Sequence, residues 1–270
     1  VLPSGGAAPH VASAHLPMLD VVRCPLCTST LSPRDGQLAC TAGHDFAVVG
    51  GVPILLRPDE AAQFESEISR ATEQGREYQG GIKKTIVRIV KLLIGSTFHL
   101  PRSRHVESTI ATLARDERWL DIGGGIRKRH PHGTRVNLDI APWAGVDVVG
   151  SGLHLPFADA SFSAMWNEAV LEHVRDPVAV MREMYRVLRP GGWAYVEVPF
   201  LQHFHAWPND YQRWTLEGLS VFAKECGDWT IEDAGVCVGP CSALTALWAD
   251  WVELWFWWGG RRTLISDLAR

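Results

Sequence analysis

Nowhere in the 270 residues is there an unbroken run of uncharged apolar residues as long as the roughly 18 a helix needs to cross a bilayer. No membrane-spanning helix is therefore expected. A basic surplus is missing too: 26 lysines and arginines stand against 30 aspartates and glutamates, a formal net charge of −4. That balance argues against a chain devoted to gripping nucleic acid, which normally leaves a basic footprint. The early apolar residues are broken by Pro3, Gly5, Gly6 and Pro9, so no signal peptide is expected. The Gly-x4-Gly-Lys-Ser/Thr loop that cradles nucleotide phosphates is absent, and so is any internal repeat.

What is present is enough apolar material, 46% of residues, for one sizeable core and a small satellite domain. Six cysteines fall in two groups. Cys24-x2-Cys27 is followed after twelve residues by Cys40-x3-His44. Three thiolates and one imidazole at this spacing can close a tetrahedron around zinc. Four protein ligands leave no open position, so such a zinc is structural, replacing the apolar core that ~40 residues cannot provide. In the late group of Cys226, Cys237 and Cys241, the last two read as small buried residues. Metal-like spacing, rather than a disulfide scaffold, places the chain in a reducing cytoplasm.

Along the chain, residues 1–17 are small, proline-rich and aperiodic, a disordered leader in front of Met18, which reads as a natural start. Residues 19–58 form the zinc-ribbon segment and close with "FAVVGGVPILL", a strand–turn–strand pattern. Residues 59–115 read as helical linker, with Ile82, Ile86, Ile89, Val90 and Leu93 on one face of a basic helix. From 116 to 240 strands alternate with helix: "RWLDI", "RVNLDI", "VDVVG", "SFSAMWN" and "WAYVEVPF" surround the helix "DPVAVMREMYRVL", stopped by Pro190, Gly191 and Gly192. The expected fold is α/β, a mostly parallel Rossmann-like sheet with helices on both faces, preceded by the small ribbon. In 241–270, Trp248, Trp251, Trp255 and Trp258 share a helical stripe, read first as core and second as a homodimer seam.

The first of these strands ends in "LDIGGGIRKRH". A dinucleotide fingerprint fits at Gly123 and Gly125 but fails at Lys128, where a third small residue is needed. Asp121 decides the matter, because a carboxylate at the mouth of a pyrophosphate site repels its ligand. S-adenosylmethionine carries no phosphate but has a sulfonium and an ammonium, which an aspartate suits. Its carboxylate suits the N–H groups of the following helix. Asp139, ending the next strand, is positioned to accept from two ribose hydroxyls.

The block "GLHLPFADASFSAMWNEAVLEHVRDPVAVMREMYRVLRPGGWAYVEVP" resembles the type-11 group of class I S-adenosylmethionine-dependent methyltransferases, whose wording runs "LPF-D-SFD", "LEH" and "RVLKPGG". The resemblance spans about 118–235. It implies a cofactor set of Asp121, Gly123, Gly124, Gly125, Asp139, Ile140, Ser151, Gly152, Leu153 and Asn167. Three positions depart from the pattern: Arg127 replaces a glycine, Ser151 the acid before the "LPF" turn, and Ser163 an aspartate. Glu172 and His173 belong to the "LEH" wording and read as fixing the helix–sheet junction; His154 reads as structural. The ribbon resembles the modules that precede bacterial large-subunit rRNA guanine methyltransferases.

After the fifth strand comes "PFLQHFHAWPNDYQRWT", a position that faces the acceptor in the superfamily. His203 and His205 lie two apart and point the same way if extended. With Asp210, Tyr211 and Arg213 they form the candidate catalytic set, a neutral imidazole serving as base. A second metal on His203, His205 and Asp210 is a less favoured reading. The expected activity is methyl transfer to a hydroxyl (or amine) of a small metabolite, sugar or natural-product intermediate. The rival is an rRNA or tRNA base methyltransferase gripping RNA through the ribbon, which offers few basic residues (Arg23 and Arg34 among them) and no aromatic platform. A third reading is a non-catalytic or repurposed cofactor-binding module.

Overall fold

The structure is a computed structural model that describes residues 18–64, 108, 117–126, 134–202, 204–206, 208–240, 243–244 and 247–248. The helices expected at 82–94 and directly after the glycine turn lie outside these, as do Arg127, His203, Trp251, Trp255 and Trp258. Trp248 is described and half exposed.

The N-terminal segment folds as two antiparallel hairpins, β1 (Leu31–Arg34) with β2 (Gln37–Cys40), and β3 (Asp45–Val49) with β4 (Val52–Leu55). Each is closed by a two-residue turn with both residues at positive φ, Asp35-Gly36 and Gly50-Gly51. These are the turn residues whose twist matches that of paired strands.

Five parallel strands follow: β5 (Arg118–Ile122), β6 (Thr134–Asp139), β7 (Val148–Gly150), β8 (Phe162–Glu168) and β9 (Leu188–Glu197). Their order in the sheet is β7-β6-β5-β8-β9. The fold is the expected α/β, Rossmann-like one. Strand order reverses beside β5, and the crevice at the carboxyl ends of strands there is where such sheets bind ligands. The fifth strand begins earlier than the sequence suggests. Leu188 already pairs with Phe162, and the register shifts before Ala164 meets Trp193, so the Pro-Gly-Gly turn is absorbed as an irregularity within the strand.

Helix α1 (Pro177–Val187) starts where Asp176 accepts the Ala179 N–H at 3.0 Å, with Pro177 in the first turn. It buries Val180, Met181, Met184 and Val187, one face at helical spacing. Helix α2 (Leu216–Cys226) is capped by Thr215, whose hydroxyl accepts from Gly218 N–H at 3.0 Å. No described helix is long and apolar enough to cross a membrane.

The ribbon does not stand apart from the sheet. β4 pairs in parallel with β7, Ile54 opposite Val149 and Leu55 opposite Gly150, so all nine strands form one sheet. Cys24, Leu38 and Leu55 share a single buried cluster with Leu120, Leu138 and Phe162. Backbone bonds from Arg23 N–H to the Pro156 carbonyl and from Ala158 N–H to the Val21 carbonyl stitch the two together.

Candidate functional site: a strand-end crevice and a buried Glu–His cluster

Asp121, one residue before β5 ends, is buried and does not face the crevice as a lone charge. The Arg135 guanidinium of β6 lies 2.6 Å from its carboxylate. The expectation of an uncompensated negative floor is thereby corrected: the pair is close to neutral, and Asp139 is the next carboxylate along. Gly123 and Gly125 take positive φ of 70° and 53°, a conformation glycine adopts without a Cβ penalty. Gly124 is needed for space instead, because a Cβ there would stand 2.1 Å from Asn137 Oδ1.

Asp139 braces this turn. One oxygen accepts from Gly125 N–H at 2.9 Å and the other from Ala141 N–H at 3.0 Å. Burial pushes its carboxyl above the ordinary 3.8, against the pull of those N–H groups. Ser151, standing where the family pattern has an acid, caps the 3-10 turn Gly152–His154 by accepting from Leu153 N–H at 3.1 Å. His154 is tied to Glu60 at 2.7 Å, a structural contact from the segment after the ribbon. Asn167, near the end of β8, is fully buried, and neither its amide oxygen nor its nitrogen has a hydrogen-bond partner. An orphaned amide at this depth costs free energy unless a ligand satisfies it. The left-handed glycines, the Asp139 carboxylate and the Asn167 amide stand at the carboxyl ends of the adjacent strands β5, β6 and β8, and they fit a cofactor with hydroxyl, amino and carboxylate groups.

Beyond Asn167, the chain enters the 3-10 turn Leu171–His173. Glu172 is fully buried and both its carboxylate oxygens lack a hydrogen-bond partner. His173 Nε2 and His205 Nε2 each lie 3.7 Å from Glu172 Oε1, and the two rings meet edge to face at 4.9 Å. His173 Nδ1 bonds the Asn209 carbonyl. His205 Nδ1 is 3.5 Å from Asp210 Oδ2, and the same carboxylate accepts the His205 backbone N–H at 2.8 Å. Burial would raise Asp210, but the Arg213 guanidinium and the His205 N–H outweigh it and hold its carboxyl at about 2. Burial pushes Glu172 up and His173 down, each toward its neutral form.

Of the candidate catalytic residues, His205, Asp210 and Arg213 therefore come together. Arg213 spends its guanidinium on Asp210 and on the Gln202 and Gln212 carbonyls, which makes it a brace for the loop. Tyr211 is half exposed and contributes its backbone N–H to the Glu172 carbonyl at 2.8 Å. Glu172 and His173, read from sequence as junction residues, are the partners that His205 meets.

A family described as "Methyltransferase domain" matches residues 131–196, which begin just past the glycine turn and end in β9. This match, together with the relatives below, supports a class I S-adenosylmethionine-dependent methyltransferase. Among curated relatives, a demethylmenaquinone methyltransferase of Roseiflexus castenholzii is 30% identical over 52% of this chain and 61% of its own length. Methyltransferase GfsG of Streptomyces halstedii is 45% identical over 22% of this chain and 18% of its own. Phosphoethanolamine N-methyltransferase 2 of Haemonchus contortus, solved with S-adenosyl-L-methionine, aligns at a TM-score of 0.37 and 18% identity over 56% of this chain and 43% of that one. The chain thus spans less than two thirds of the curated relatives' length.

The ribbon brings Cys24, Cys27, Cys40 and His44 together. Cys24 and Cys40 sulfurs lie 3.4 Å from His44 Nδ1, and Cys27 and Cys40 sulfurs are 3.7 Å apart. Such separations are the edges of a tetrahedron with bonds of about 2.0–2.3 Å, as zinc has. Both knuckles are tight turns: Thr28 N–H bonds the Cys24 carbonyl with Thr28 at φ 59°, and Gly43, at φ 84°, bonds the Cys40 carbonyl. His44 N–H donates to Cys40 Sγ at 3.4 Å.

Proposed function

We propose that the chain transfers a methyl group from S-adenosylmethionine to a hydroxyl (or amine) of a small-molecule acceptor. The observation that carries this reading is the polar cluster of Glu172, His173, His205 and Asp210, next along the chain from the crevice that ends at Asn167. When bound, the cofactor supplies a methyl group on a sulfonium, which an acceptor lone pair displaces as the carbon–sulfur bond breaks. Asp139 accepts from the ribose hydroxyls, and the Asn167 amide meets a polar group of the cofactor. The glycine turn lets the backbone approach closely. The Glu–His cluster holds the acceptor oxygen and deals with its proton. Aligning the two partners supplies the larger share of the rate, roughly 7–11 kcal/mol of barrier, against about 10²–10⁴-fold for proton transfer. A relative named for demethylmenaquinone supports a small acceptor. The ribbon holds zinc in a structural role through Cys24, Cys27, Cys40 and His44.

The test is mass spectrometry of cell extract incubated with the protein and isotopically labelled S-adenosylmethionine. A labelled small molecule is expected. Labelled RNA would replace this reading with the nucleic-acid one. Calorimetry on folded protein showing no binding of S-adenosylmethionine or S-adenosylhomocysteine would leave only a non-catalytic module.

A further inference from the structure

Glu172 poses a question that methyl transfer alone does not answer. A carboxylate with no exposed surface and two unpartnered oxygens is costly to bury unless something cationic, or a proton, meets it. The groups facing it are two imidazole nitrogens, and all three ligand atoms lie within 4.8 Å of one another. At 3.7 Å the nitrogens are too far from Glu172 Oε1 for a hydrogen bond, yet well placed to share a common neighbour with it.

The second layer fixes the tautomer of His173 and holds the His205 ring in place. His173 presents Nδ1 to the Asn209 carbonyl, which accepts its proton and leaves the Nε2 lone pair directed at Glu172. His205 Nδ1 lies 3.5 Å from the Asp210 carboxylate and 3.3 Å from the Arg213 guanidinium that clamps that carboxylate, and its backbone N–H donates to Asp210. Metal-binding histidines show the His173 arrangement: the far nitrogen donates to a carbonyl or carboxylate, which fixes the tautomer and makes the near nitrogen a better ligand.

We propose that Glu172, His173 and His205 bind a divalent transition-metal ion that anchors the acceptor. Two imidazoles and one carboxylate, with no thiolate, suit ions such as Mn²⁺, Fe²⁺ or Co²⁺ and leave coordination positions open to a substrate oxygen. The ribbon set differs on both counts, being sulfur-rich and complete at four ligands. Such an ion would act as a Lewis acid, making an acceptor hydroxyl held there more acidic so that its proton would pass to solvent as the methyl arrives. This deepens the proposed function, on which the acceptor role rests, while metal binding itself does not depend on it. It also replaces the grouping of His203, His205 and Asp210: Asp210 orients a ligand from behind, and His203 lies outside the described residues.

The experiment uses the full chain with its ribbon saturated by zinc, titrated with Mn²⁺ and followed by electron paramagnetic resonance, then with Co²⁺ by visible absorption. One added equivalent is expected, with cobalt bands that lack the thiolate charge-transfer intensity a ribbon-bound ion would give. Glu172→Gln and His205→Ala should each weaken Mn²⁺ binding by at least about 100-fold, and Asp210→Asn by about 10–100-fold. Binding of S-adenosylhomocysteine shows that each variant is folded, and His205→Ala, at a partly exposed position, covers the case in which the buried Glu172 variant does not fold. Absence of an added equivalent in cofactor-binding protein, or unchanged Mn²⁺ affinity in the folded variants, overturns the proposal. Mn²⁺ bound without any methylated small molecule leaves the metal site standing and overturns the methyl-transfer reading instead.

Discussion

The chain carries two clusters of metal-ligand chemistry, and they are built in opposite ways. In the ribbon, Cys24, Cys27, Cys40 and His44 come from two short knuckles within 21 residues, each knuckle closed by its own turn. In the other, Glu172 and His173 come from the turn after β8, while His205 arrives from the loop beyond β9, held by Asp210 and Arg213. A site made by local turns completes its own coordination and serves stability. One assembled from strand ends, as proposed above, has three protein ligands and would keep positions for a substrate. The difference teaches that ligand count and location, more than the presence of histidine, separate a structural cluster from a working one.

That contrast can be broken most decisively at the ribbon. Cys40→Ser should lose zinc, seen by native mass spectrometry, and lower the thermal midpoint sharply. Structural zinc carries on the order of 10–16 kcal/mol of binding free energy, and β4 is paired directly to β7. Whatever folded protein remains should keep its S-adenosylhomocysteine affinity. A proportional loss of both would mean the ribbon helps form the crevice, and the contrast would fail. In the opposite direction, Asp139→Ala should weaken S-adenosylhomocysteine binding by roughly 2–3 kcal/mol in calorimetry, the worth of hydrogen bonds to a charged group. Unchanged affinity would remove Asp139 from the pocket.

Gly124→Ala should move stability and binding together, by about 1–3 kcal/mol, because its Cβ would collide with Asn137 inside the turn itself. Chemical denaturation and calorimetry on the same samples check this. The smallest effect is with pH. Asp139 has a carboxyl raised by burial, and in the proposed role only its ionised form would accept from both ribose hydroxyls. Cofactor affinity should therefore fall as the solution is acidified toward that raised value, starting above the ordinary 3.8. The stability term runs the other way. A raised carboxyl contributes stability below its unfolded value and loses it as pH climbs through the folded one. Asp139→Asn should flatten both dependences, seen in pH-resolved melts and titrations.

Much of this was legible before any coordinates. Cysteine spacing announces the ribbon because both knuckles are local, and a turn chemistry of two residues is written in Asp35-Gly36 and Gly50-Gly51. The parallel strands announce themselves as short apolar runs bounded by glycine, proline and aspartate, since strands largely buried on both faces, as β5 to β8 are, have little room for polar residues. Asp176 and Pro177 mark the start of α1. Other features were not legible. That Arg135 neutralises Asp121 depends on the pairing register of β5 and β6, which no single segment encodes. "LEH" reads as a junction because nothing in its neighbourhood reveals a histidine 32 residues further on.

Sequence by itself determined the elements, the family wording and the local knuckles, because each rests on contacts among residues a few positions apart. Tertiary structure alone decided that the ribbon extends the methyltransferase sheet, that the crevice aspartate is paired, and that Glu172 faces two imidazoles. Those depend on which segments become neighbours, and burial then sets the electrostatics: a carboxylate's charge matters according to what stands beside it once water is gone.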